Sequence, residues 1–194
     1  MISMNIDEVS RMTPEDGRAL LKIARESVEE HILRMRMPAV RKIDPSMKRN
    51  AGVFVTLKIH GDLRGCIGFV EPIYPLYIGV QKAAVYAATD DPRFPPVNGE
   101  DLGQLEYEVT VLSETEEISI GKDTDLNALI IRGVHGLEVS RGIRSGLLLP
   151  QVMEELDLSP LQFLDETCIK AGMKVGCWKD PETRIYRFMG KVFS

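Results

Sequence analysis

The chain has 194 residues, 44% of them hydrophobic and 27% charged, with a formal net charge of -5. That length supports one good core or two smaller subdomains sharing an interface, and the balance excludes wholesale disorder. The acidic excess offers no bulk attraction to phosphate backbones and no plain basic patch is visible, which speaks against nucleic acid as a partner.

No apolar run approaches the length of a membrane span, so no membrane partner is expected. The amino terminus MISMNIDEVSRM mixes acidic and polar residues where a secretory signal needs a basic start and an apolar stretch. A cytoplasmic protein is therefore expected. Cys66, Cys168 and Cys177 contain no CxxC pair, a pattern that favours a reducing compartment over a disulfide framework and speaks against zinc. No metal or other cofactor is expected.

Along the chain, a helix is predicted from Thr13 to about Leu33. Thr13 can cap it, Pro14 suits its first turn and Asp16 stands where a capping-box acid reaches back. Leu20, Ala24, Val28 and Ile32, with Leu21 beside them, form an apolar stripe suited to covering a sheet. Arg34 to Asn50, with Arg34, Arg36, Arg41, Lys42, Lys48, Arg49 and two prolines, reads as an exposed basic connector. Val53, Val55, Leu57 and Ile59 alternate with Phe54, Thr56 and Lys58 as in a strand, and His60-Gly61-Asp62 turns the chain into a hairpin with Leu63 to Val70.

The returning strand carries Leu63-Arg64-Gly65-Cys66-Ile67-Gly68. Strand alternation places Arg64, Cys66 and Gly68 on one face, so a fixed cation would stand beside a thiol and favour thiolate. Gly65 and Gly68 would leave room for a substrate to approach.

Leu76, Val80, Ala83, Ala84, Ala87 and Ala88 make a helical stripe from about Pro75 to Thr89. Asp91-Pro92-Arg93-Phe94-Pro95-Pro96 is stiff enough to hold Asp91 and Arg93 as a site wall; equally, its prolines could only stop the helix while Phe94 plugs the core. Leu105, Tyr107, Val109 and Val111 form a strand whose other face carries Glu106 and Glu108, able to hold Arg64 or to move protons. Gly133-Val134-His135-Gly136 puts a histidine in a turn before a strand at Leu137 to Ser140 and a second turn at Arg141-Gly142. A strand from Ser145 runs into a helix at Pro150. A helix from Ser159 to about Ala171 places Leu161, Leu164 and Cys168 on one stripe, and Trp178 with a final strand, Arg184 to Phe188, closes the chain.

LRGCIG at 63 to 68, DPRFPP at 91 to 96, YEVTVLS at 107 to 113, GVHGLEV at 133 to 139 and RSGLLLPQV at 144 to 152, with CIKAG at 168 to 172 and Trp178, together resemble the AMMECR-one domain family. The resemblance runs over nearly the whole chain, in family order. It implies an α+β fold of two subdomains, each a mostly antiparallel sheet covered by helices, with LRGCIG lining the cleft between them. The smaller subdomain is placed at about 52 to 116 and the larger at about 1 to 51 plus 117 to 194. The resemblance also implies Memo-like and radical S-adenosylmethionine proteins as partners in a shared modification pathway, but no defined reaction.

Three readings of the site stay open. As an enzyme, Cys66 is the nucleophile, Arg64 lowers its pKa or holds an anionic group, His135 is the base, and Glu106 or Glu108 orients that base. The catalytic set is then Cys66, His135 and Glu108. As a binding module, Arg64, Gly65, Gly68, Asp91, Arg93 and Glu106, joined by Arg144 and Gln151 of RSGLLLPQV, hold a small or peptide-like anionic substrate or a protein partner, and Cys66 merely lines the site. As scaffold, the small residues exist for close packing.

Overall fold

The computed structural model describes residues 2–40 and 43–194, so Arg41 and Lys42 of the basic connector lie outside the described residues. The chain forms two compact units, one of residues up to Glu114 together with Lys191–Ser194, the other of Thr115–Gly190.

In the first unit, a short helix α1 (Ile6–Ser10) precedes α2 (Pro14–Arg34), which starts where the capping residues place it. Thr13 accepts from the Asp16 N–H, and the Asp16 carboxylate accepts from the Thr13 N–H. Strands β1 (Gly52–Ile59) and β2 (Asp62–Phe69) form the expected hairpin through His60 and Gly61, both at positive φ as a tight two-residue turn requires. Helix α3 (Leu76–Thr89) follows, and β3 (Leu105–Leu112) pairs antiparallel with the other side of β1. The order β2-β1-β3 leaves β2 at an edge. Val53, Val55 and Leu57 are fully buried on the face that α3 covers.

Helix α2 lies mainly on α3 and only partly on β3, rather than on the sheet as its stripe suggested. The reason is in α3, where Val80, Gln81, Ala83, Ala84, Ala87 and Ala88 are all buried, more than one side of a helix. A helix apolar on more than one side needs cover on both, and α2 supplies the second layer. That contact also draws the segment before β1 into the first unit. The division therefore differs from the one at 52 and 116 expected from the sequence. The connector is tied down as well: Met47 is buried in a one-turn helix at Pro45–Lys48, Arg49 pairs with Glu8, and Arg34 and Arg36 both pair with Glu30.

The second unit contains β4 (Glu116–Ile118), α4 (Leu126–Leu129), β5 (His135–Arg141), β6 (Arg144–Leu148), α5 (Pro150–Glu155), α6 (Pro160–Lys170) and β7 (Arg184–Phe193). The strands are antiparallel, with β7 between β4 and β5, and β5 between β7 and β6. Leu137, Val139 and Ile185 from the sheet meet Met153, Phe163 and Leu164 from the helices in one core. Ser159 caps α6 as expected, but Leu161 is exposed and the buried stripe is Phe163, Leu164, Thr167 and Cys168. Strand β4 was too short to be seen in the sequence. Strand β7 runs past Phe188, and its last residues, from Lys191 on, belong to the first unit. The whole is an α+β fold. Among the described residues, no helix is long and apolar enough to cross a membrane.

Cys168 and Cys177 form a disulfide, which the sparse cysteine pattern did not suggest. The end of α6 and the short helical turn at Cys177–Lys179 bring their Cα atoms to 5.8 Å, within bridging range despite a separation of nine residues. Ellman titration of the native protein should therefore find one thiol, Cys66, and three after reduction and denaturation. Reduction should cost about 2.5 kcal/mol of stability, the chain-entropy value for so short a loop. Three native thiols would refute the bridge.

Candidate functional site

Cys66 pairs with Thr56 across β2 and β1, and Thr56 pairs with Glu108 across β1 and β3. The three residues thus form a row on the sheet face that α3 leaves uncovered. Cys66 is partly exposed and is a free thiol, and the Thr56 hydroxyl donates to its Sγ at 3.2 Å. One row further, Lys58 faces Glu106 across the strands and pairs diagonally with Glu108, Nζ to Oε2 3.1 Å. Glu106 is exposed.

The backbone of Cys66 is held from outside the sheet. Its N–H donates to Asp91 Oδ2 at 2.9 Å and its carbonyl accepts from Arg93 Nη2 at 3.4 Å. Asp91 and Arg93 therefore take the place that a neighbouring strand would occupy on the open edge of β2. The two are locked to each other, Arg93 Nε to Oδ1 2.9 Å and Nη2 to Oδ2 2.7 Å, and the Arg93 N–H adds a third bond at 3.1 Å. The Asp91 side chain is 3% exposed and that of Arg93 55%. The Arg93 guanidinium holds the Asp91 carboxyl well below the usual carboxylate range, against the opposing effect of burial, and the same bond raises Arg93. Phe94 does not plug the core; it is only partly buried and lies under the Arg93 guanidinium, 5.5 Å from the ring centroid, while Val97 is the buried residue of this segment.

Arg64 does not stand beside the thiol. The β1–β2 register passes from Leu57 opposite Gly65 to Lys58 opposite Leu63, so Arg64 is the extra residue of a β-bulge and leaves the alternation on which its placement rested. Its guanidinium donates to the Pro95 carbonyl at 2.7 Å, the Pro96 carbonyl at 3.3 Å and Asp101 Oδ2 at 3.0 Å. It anchors the loop after α3, and Arg93 is the cation within electrostatic reach of Cys66. Nor do the glycines open a space. A Cβ on Gly65 would lie 2.0 Å from the Ala87 carbonyl oxygen of α3, and one on Gly68 would lie 2.3 Å from the Val53 carbonyl oxygen and 2.5 Å from the Phe54 ring.

His135, Arg144 and Gln151 belong to the second unit. His135 is buried at the start of β5, where its Nδ1 accepts from the Ile131 N–H at 3.1 Å. Burial, then the Arg187 charge, lowers its pKa. A neutral ring whose lone-pair nitrogen already holds a backbone N–H has the geometry of a structural histidine rather than a base. Arg144 is exposed and donates to the Gly172 carbonyl at 3.4 Å, and Gln151 Oε1 is buried without a hydrogen-bond partner. The sequence reading missed Thr56 and Lys58, whose signal is their position on the uncovered face of β1 opposite the cysteine strand.

The AMMECR1 family model matches residues 21–193. A protein of Methanothermobacter thermautotrophicus is 45% identical over 185 residues, spanning 94% of this chain and 95% of its own. Protein TK0174 of Thermococcus kodakarensis is 44% identical over 190 residues, spanning 95% and 92%. The crystal structure of the uncharacterized protein PH0010 from Pyrococcus horikoshii matches with a TM-score of 0.80 at 41% identity, over 93% of this chain and 92% of that one. The motifs, the fold and these matches agree: the chain belongs to the AMMECR1 family.

Proposed function

We propose that the β2-β1-β3 face is a cysteine-centred site that acts on a small or peptide-like anionic substrate, with Cys66 supplying the sulfur and Arg93 taking the role expected of Arg64. The observation that carries this reading is a free, partly exposed thiol with a hydroxyl at 3.2 Å and its own backbone clamped by an ion pair whose arginine is 55% exposed. Thr56 orients the sulfur and Asp91 fixes Arg93, while Lys58 on the same face is held by Glu108 and leaves Arg93 as the group that meets the anion.

The test compares iodoacetate with iodoacetamide, read by mass spectrometry at Cys66. Relative to free cysteine, the anionic reagent should gain about fivefold, the worth of about 1 kcal/mol of attraction between charges near 4 Å in water. High salt and Arg93→Gln should both remove the gain. A ratio no higher than that of free cysteine would sink the proposal. A non-catalytic binding module on the same face is the second reading, favoured by the occupied Nδ1 of His135, which leaves the thiol without its expected base. In that case Cys66→Ala leaves affinity for the bound molecule intact.

A further inference from the structure

We infer that the second unit carries a pocket of its own for a small amphipathic anion, an apolar ring system bearing one negatively charged group. It does not depend on the reading of Cys66. The cavity measures about 870 Å³, and every residue lining it lies between Glu117 and Leu126 or between Trp178 and Ile185. That volume is within the ordinary range for small-molecule sites.

Its apolar wall is Ile118 and Ile185, which are cross-strand partners of β4 and β7, with Leu126 and Trp178. The indole is fixed, since Nε1–H donates to Asp165 Oδ1 at 2.9 Å, and so it presents a rigid flat surface. The charge is uneven. Of the acids lining the cavity, Asp180 is paired with Arg141 and Glu117 acts on Arg184. Lys122 and Lys179 also line it, and neither has an acidic partner among the described residues; the Lys179 ammonium lies 4.9 Å from the Trp178 ring centroid. A chain of net charge -5 thus keeps two lysines without acidic partners at one cavity that also has an apolar wall.

An independent observation points to a ligand. Thr183 lines the cavity at 9% exposure, and its buried Oγ1 has no hydrogen-bond partner. Most buried hydroxyls are satisfied, and an unpartnered hydroxyl in the same lining as Lys122 and Lys179 offers an anionic oxygen a hydrogen bond as well as charge.

The probe is anilinonaphthalene sulfonate, which combines an apolar ring system with one anionic group. Trp178 is the only tryptophan in the chain, so energy transfer from it to the probe reports occupancy of this pocket specifically. Expected is saturable binding of one probe per chain with quenching of Trp178 emission. Lys122→Glu and Lys179→Glu should each weaken it about tenfold, as should loss of the sulfonate in neutral anilinonaphthalene. Both lysines are exposed, and unchanged circular dichroism confirms that the variants fold. Non-saturable binding, undisturbed Trp178 emission, or an affinity in both charge-reversal variants equal to that of the native protein would overturn the proposal.

Discussion

Gly65→Ala should lower the unfolding free energy by about 3 kcal/mol in urea titration, at the upper end of the cost of overpacking a core. The added Cβ would sit 2.0 Å from the Ala87 carbonyl oxygen and 3.0 Å from its carbon. Both atoms are backbone in the last turns of α3, so no side-chain rotation relieves the clash and the helix itself has to move. That helix is packed on β1 and β2 on one side and on α2 on the other, and a shift would loosen both layers. Gly99→Ala is the control: nothing lies within 4 Å of its added Cβ, and its effect should stay within about 0.5 kcal/mol. A loss at Gly65 no larger than at Gly99 would show that the close approach does not exist. Gly65 is thus accounted for by packing, the scaffold reading of the hexapeptide, while Cys66 one residue on faces the other way.

Asp91→Ala should cost about 3 kcal/mol at neutral pH, because it leaves the N–H groups of Cys66 and Arg93 without their acceptor, each worth about 1–3 kcal/mol when unsatisfied. The stranded guanidinium adds little, since the Arg93 side chain is 55% exposed and water can hydrate it. The pH dependence separates the charge from the hydrogen bonds. The Asp91 carboxyl titrates lower in the folded protein than in the unfolded chain, so its contribution is complete above the unfolded value of about 3.9 and is lost as pH falls from there through the folded value. The stability gap between the native protein and Asp91→Asn should accordingly narrow when urea titrations at pH 7 are repeated near pH 2.5. A gap independent of pH would mean that the carboxylate charge plays no part in holding Arg93.

Local signals marked most of the elements. The Thr13 and Ser159 caps, the alternation through Val53 to Leu57 and the small-residue stripe of α3 each state their own conformation, and the structure follows them. Features that depend on a partner elsewhere were not legible. A two-residue turn at His60 and Gly61 implies a register that puts Thr56 opposite Gly65. The bulge at Arg64 moves it by one and brings Cys66 there instead. Nothing in the hexapeptide announces that bulge, whose extra residue is held by Asp101 and two proline carbonyls some thirty residues on. Asp91 and Arg93 were visible as a stiff pair, but their action on the edge of β2 was not. The Cys168–Cys177 bridge was hidden for a similar reason, since the turn that brings the two together is set by Asp165 accepting from the Gly176 N–H and the Trp178 indole.

The order of units along the chain bears on biosynthesis. The second unit is contiguous, whereas the first is interrupted by it and completed only by Lys191–Ser194. Lys191 Nζ donates to the carbonyls of Ser10 and Met12, and the Phe193 ring lies against Gly17, so residues translated after the whole of the second unit tie down the start of the first long helix. During translation the second unit has its entire sequence available while the earlier one still lacks its closing segment. Premature termination before Lys191 would therefore fall hardest on the first unit, which carries Cys66, although the missing residues follow the second unit in the chain.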